Sequence, residues 1–182
     1  MNKLFICLLL MLTCSLTSAK VRKKVSTEKK YPIYHFILKL KPKMSKKLAW
    51  RYSRSFRRYS KRYGLDPFLL VSIAMQESGI ILDKVRVVTG YIYMDEKYIP
   101  MEIETDFCMM QIHYKNVENM NLDLSKLQTN YDYCIATGAK ILASFKRYRK
   151  KDKNWWSRYN ARSPHKRRIY ESLINRYYDQ RP

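Results

Sequence analysis

Acidic side chains are scarce in this sequence: 15 Asp and Glu stand against 37 Lys and Arg, a formal charge of +22. An imbalance of that size points to polyanionic partners, whether nucleic acid, an anionic envelope surface or an acidic polymer, without choosing among them. Histidine is scarcer still. His35, His113 and His165 are isolated from each other and from paired cysteines, so no zinc-ligand cluster is present and no metal or cofactor is expected. Internal repeats are lacking, and the N-terminal apolar run LFICLLLML is too short to cross a bilayer comfortably. What remains is ordinary. A hydrophobic content of 46% excludes global disorder, and 182 residues leave room for one domain with one sizeable core.

The N-terminus has the layout of a secretory signal: Lys3, the apolar run, then small and hydroxylated residues through Thr17-Ser18-Ala19. Residues 1–19 are therefore set apart from the fold, and the protein is expected to be exported to a periplasm or the extracellular space. Cys14 is preceded by Met11, Leu12 and Thr13, a poor lipoprotein signal, so lipidation is not expected. Export also favours envelope polymers over nucleic acid as the anionic partner. Two of the four cysteines leave with the signal. Cys108 and Cys134 stay, and in an oxidising compartment they suggest one disulfide, with two buried free thiols as the alternative.

Residues 20–62 hold 17 Lys and Arg against Glu28 alone. Through residue 44 no clear period emerges and Pro32 and Pro42 interrupt, which reads as an extended or partly disordered basic arm. From residue 45 a domain is expected to run to the C-terminus. Leu48, Tyr52, Phe56, Tyr59 and Tyr63 recur at helical spacing, Gly64 stops that helix, and Asp66-Pro67 cap and start the next. FLLVSIAMQES then runs to Gly79. Within 85–104, VRVV, YIYM and MEIE are β-rich, separated by Thr89-Gly90 and Pro100, and predict a small β-ribbon lobe. Asp123 begins a short turn or helix. YDYCIATGAKILASFKRY predicts a long helix whose Ala136, Gly138 and Ala139 mark close packing, and WWSRYNA a short one. Ser163-Pro164 caps a last helix with Ile169, Tyr170, Leu173, Ile174 and Tyr177 as its buried stripe. The sum is a mainly α-helical α+β fold.

Glu77 is the residue with chemistry. Leu70, Ile73, Ala74 and Glu77 share one helix face, so a carboxyl ends an apolar stripe at a helix C-terminus. Apolar neighbours and the partial negative charge of the helix end both disfavour its ionised form. A carboxyl that stays protonated near neutral pH is what acid catalysis of glycoside cleavage needs.

Four segments in one order carry a resemblance over roughly residues 47–178. They are the helix ending in Glu77-Ser78, the run Met109-Met110-Gln111-Ile112, the helix with Gly138-Ala139 before Ile141-Leu142, and Tyr159-Asn160. In this the chain resembles the soluble-type (SLT) lytic transglycosylase domain family of the lysozyme-like superfamily; Tyr170 and Ile174 also fit it. The resemblance implies a lysozyme-like fold in which Glu77 cleaves the bond between N-acetylmuramic acid and N-acetylglucosamine of peptidoglycan strands. It implies that Tyr159 orients Glu77, that Met110 and Gln111 line the sugar cleft, and that Ser78 and Asn160 hold the site's shape. Two positions depart from the family pattern. Cys108 stands where the family usually has Gly, and Arg158 where it has a small residue before Tyr-Asn. Pairing of Cys108 with Cys134 is expected because both lie in family elements that pack together.

The resemblance also implies a non-hydrolytic route, since one carboxylate used twice, as acid and then as base, suffices. Glu102, Glu104 and Asp106 leave a two-carboxylate hydrolase as the alternative. Basic residues gather again at 146–168, and this flank is expected to hold anionic envelope polymers. A cationic wall- or nucleic-acid-binding protein without catalysis is the rival of another class. The helix RYSRSFRRYSKRY suits it, but the signal and the four ordered segments argue against it, so nucleic acid is not expected. A monomer is expected. Small exported relatives serve wall turnover or clear the wall for a secretion or conjugation apparatus, and such an apparatus is a further partner the resemblance implies.

Overall fold

The computed structural model describes residues 31–148 and 151–182; the expected signal segment 1–19 and residues 20–30 of the expected basic arm lie outside them. Helix α1 (Pro32–Leu40) opens the fold, followed by α2 (Lys46–Tyr63) and α3 (Pro67–Ser78). A β-hairpin comes next, β1 (Val85–Met94) and β2 (Lys97–Phe107), with a two-residue β3 (Ile112–His113). Short helices α4 (Tyr114–Asn119) and α5 (Leu124–Thr129) lead to the long α6 (Tyr131–Tyr148). A 3-10 turn (Trp155–Tyr159) and α7 (Pro164–Tyr178) complete the chain. This is a mainly helical α+β fold with one small antiparallel sheet, ordered β1-β2-β3. Among the described residues no helix is long and apolar enough to cross a membrane.

The helix boundaries follow local chemistry. Ser45, Asp66, Asp123 and Ser163 each accept a hydrogen bond from a backbone N–H of the first turn they precede. Gly64 and Gly79 close α2 and α3 in the left-handed region, at φ 62° and 67°. The stripe on α2 buries Tyr52 and Phe56 and brings Ser55, Arg58 and Tyr59 to Asp132 at the start of α6, where Ser55 Oγ and Tyr59 Oη donate at 2.7 and 2.8 Å.

Three sequence readings need correction. The basic arm does not extend to residue 44: Pro32 starts α1, and Ile33, Phe36 and Ile37 enter the core, with Phe36 edge-on to Phe68 at 5.3 Å. Proline is harmless in a first turn, and a helix this short shows only one repeat of its apolar spacing. Trp50, on α2 but off that stripe, meets Tyr31 and Tyr34 beside α1. The β-ribbon is two long strands rather than three short segments. Its turn is Asp95-Glu96, both at positive φ, while Thr89-Gly90 and Pro100 lie within strands. Pro100 is tolerated because β3 pairs only with Asp106 and Phe107, leaving β2 open on one side. Finally, Ile169 on α7 is exposed; Tyr170 and Ile174 carry the buried contact.

Candidate active site

Helix α3 is covered on most sides, by α1, α2 and α7, so Leu69 through Ala74 are all buried. Its last turn emerges from this cover and carries Glu77, which is only partly exposed. Tyr170 of α7 donates its hydroxyl hydrogen to Glu77 Oε1 at 2.5 Å. Burial pushes the Glu77 carboxyl up from 4.5 to about 7. The Tyr170 hydrogen bond and the Arg86 charge act against that rise, Asp106 adds to it, and Asn160, exposed at the end of the 3-10 turn, opposes it weakly. Near neutral pH this one group therefore exists in both protonation states, able to donate a proton and then to accept one.

Beneath Glu77 lies the turn 108–111. Cys108 and Gln111 both have positive φ, 61° and 47°, and the Gln111 N–H closes the turn on the Cys108 carbonyl at 3.0 Å. The left-handed backbone at Cys108 is one that glycine adopts freely, whereas any β-carbon there meets steric resistance. Here the side chain forms a disulfide with Cys134 of α6. Gln111 Nε2 donates to the carbonyls of Cys108 and Lys84, at 2.9 and 3.2 Å, so its amide is spent inside the structure. Ser78 Oγ lies 2.9 Å from the Met109 carbonyl and accepts from the Ile81 N–H, which ties the end of α3 to the same turn.

The anticipated residues thus meet, with altered parts. Tyr159 does not bond Glu77: its hydroxyl donates to the Met110 carbonyl at 2.7 Å. It still lies close enough to Glu77 for that charge to raise its own pKa, after burial as the larger cause. Met110 is fully buried and cannot present its side chain to a ligand. It fills the space over Gly138, where a β-carbon would come within 2.7 Å of it. The small residue on α6 therefore admits a methionine and not a neighbouring helix.

The sequence reading assigned no site role to Tyr170 or Arg86, and named Asp106 only as one of three carboxylates that leave hydrolysis open. Tyr170 appeared there as a core residue and a motif match. Arg86 and Asp106 face each other directly across β1 and β2, and the guanidinium binds Asp106 Oδ2 through Nε at 2.8 Å and through Nη2. Asp106 is 3% exposed. No local pattern joins two residues of a ribbon whose turn had been misplaced. Among the described residues no group of three or more His, Cys, Asp or Glu can hold a metal. A hollow of about 310 Å³ between α1 and α2, lined by Tyr31, Trp50, Arg54 and Arg57, involves none of these residues.

No family model matches the chain, and no curated protein or solved structure matches it.

Replacing Tyr170 with Phe removes a hydrogen bond that favours ionised Glu77, so the carboxyl should titrate still higher. With Glu77 as a proton donor, the alkaline fall of kcat/KM should move to higher pH while kcat drops by about tenfold. A fall in kcat with an unmoved pH profile would reduce Tyr170 to a packing residue.

Proposed function

We propose that the protein is an exported peptidoglycan lytic transglycosylase with a lysozyme-like fold. The observation that carries this reading is a single carboxyl, Glu77, raised to about 7 by burial and oriented by Tyr170 at a partly open helix end. In the first step Glu77 gives its proton to the glycosidic oxygen as the bond from the muramoyl C1 breaks. In the second the carboxylate takes the proton of the muramoyl 6-hydroxyl, whose oxygen closes on C1. The product is a 1,6-anhydro sugar, water is not consumed, and Glu77 ends protonated as it began.

Hydrolysis of the same bond is the second reading, and Asp106 is the observation in its favour, because its charge reaches Glu77. Against it, Asp106 is sealed and bound to Arg86, a poor position from which to activate water. Mass spectrometry of digested sacculi separates the two: anhydro-muramoyl ends support the transglycosylase, and reducing ends would replace it with the hydrolase.

The basic flank at 146–168 supplies the affinity for an anionic wall. Activity on whole sacculi should fall with added salt more steeply than activity on short muropeptides. Equal salt responses would remove this role from the flank.

A further inference from the structure

Ten of the large apolar side chains exposed on this protein lie on one ribbon: Val85, Val87, Tyr91, Ile92, Tyr93, Met94, Tyr98, Ile99, Met101 and Ile103. Tyr91, Tyr93 and Tyr98 stand on one face, where Tyr93 and Tyr98 are direct partners with rings 5.1 Å apart. Ile92 and Ile99 face each other on the opposite side, joined there by Ile103, which lies over Gly90. Beyond Thr105 the ribbon has only two strands, because β3 stops at Asp106 and Phe107. A two-stranded ribbon with uncovered apolar faces is marginal in water by itself.

Its outer edge is unusual too. β1 pairs with β2 alone and is the edge of the sheet. From Val87 to Met94 it carries no charge and no proline. Open edges in soluble proteins are normally blunted by lysine, proline or a covering element. The charges that do exist lie at the two ends: Asp83, Lys84 and Arg86 before the uncharged stretch, and Asp95, Glu96 and Lys97 after it.

The geometry points to a second copy of this chain as the occupant, paired antiparallel through β1 about a two-fold axis near Gly90 or Tyr91. An interface of this kind must be complementary to itself. Centred on Gly90, the pairing sets Lys84 opposite Glu96 of the second copy and Asp83 opposite Lys97; centred on Tyr91, it sets opposite Glu96 the half-exposed Arg86, which also binds Asp106. Either register joins opposite charges at both ends, whereas a parallel pairing would align like with like. The two ribbons become one four-stranded sheet with the backbone groups of both edges satisfied. The acidic character of residues 83–106, against the basic remainder of the chain, disfavours a glycan-wall or anionic-membrane occupant for the same edge. This association departs from the expected monomer and does not depend on the catalytic reading.

Sedimentation velocity on the purified exported chain, from micromolar to submillimolar concentration, tests it. The wild type should pass from monomer to dimer. Tyr91 is 70% exposed, so Tyr91→Lys should leave the thermal unfolding midpoint unchanged while placing two like charges beside the axis. Dimerisation should weaken by about tenfold or more. Glu96→Lys, at the far end of the ribbon, should also weaken it, and Arg54→Ala on α2 should not. A wild type that stays monomeric throughout, or a dimer indifferent to Tyr91→Lys, overturns the proposal.

Discussion

Glu77→Gln should abolish glycan cleavage and at the same time make the folded protein more stable at neutral and alkaline pH. Losing the proton donor removes a step that acid-base catalysis accelerates by about a hundredfold to ten-thousandfold, and here the same group serves twice. The stability gain has an independent origin. Between pH 4.5 and about 7 the folded protein retains a proton on Glu77 that the unfolded chain has released. The wild type therefore loses stability as pH rises through that window and levels off above it, by about 3 kcal/mol in total. Glutamine cannot ionise, so the variant's advantage should be absent in acid and fully developed on the alkaline side. Muropeptide analysis together with urea unfolding at two pH values reads both effects. A variant that still cleaves would remove Glu77 from the chemistry, and one whose stability relative to the wild type does not change with pH would show that its carboxyl is not held protonated in the fold.

Removing the disulfide should be nearly as severe. Cys108 and Cys134 are 26 residues apart, a loop whose closure stabilises the fold by roughly 3–4 kcal/mol in the chain-entropy model. The bond also anchors the turn that supports Glu77, because Ser78 and Tyr159 both bond carbonyls of Met109 and Met110. Cys108→Ala with Cys134→Ala should therefore unfold at a midpoint lower by on the order of 10 °C and lose activity disproportionately. Cys108→Gly with Cys134→Ala should recover about 1 kcal/mol of that loss, since glycine accepts the left-handed backbone of residue 108 without strain. Two pairs of equal stability would mean that the turn relaxes once the bond is gone, and that the backbone at 108 is held there by the sulfur alone.

The readings that succeeded were local ones. Caps at Asp66 and Ser163, stops at Gly64 and Gly79, and the stripe on α2 each depend on residues within a turn or two of each other. Such chemistry survives in a linear string. The readings that failed did so where the deciding partner lay elsewhere. Helix α1 looked like a charged arm because its three core residues make sense only against Phe68 and the rest of α3. The ribbon looked like three pieces because Thr89-Gly90 and Pro100 resemble turns, while the left-handed pair at Asp95-Glu96 carries no glycine. Gly138 looked like a helix contact because nothing in its neighbourhood reveals that Met110 would occupy the gap.

The same division runs through the site. By itself the sequence determined that one carboxyl would end an apolar helix, because helical periodicity places Glu77 below Leu70, Ile73 and Ala74 whatever else the chain does. It also offered Cys108 and Cys134 as a pair, with two free thiols as the alternative. Only the tertiary structure decided that Tyr170 would hold the carboxyl, that Tyr159 would hold a carbonyl instead, and that Arg86 would engage Asp106. Each of those contacts joins elements distant along the chain, and a hydrogen bond has a donor and an acceptor only once packing has brought the two within three ångströms.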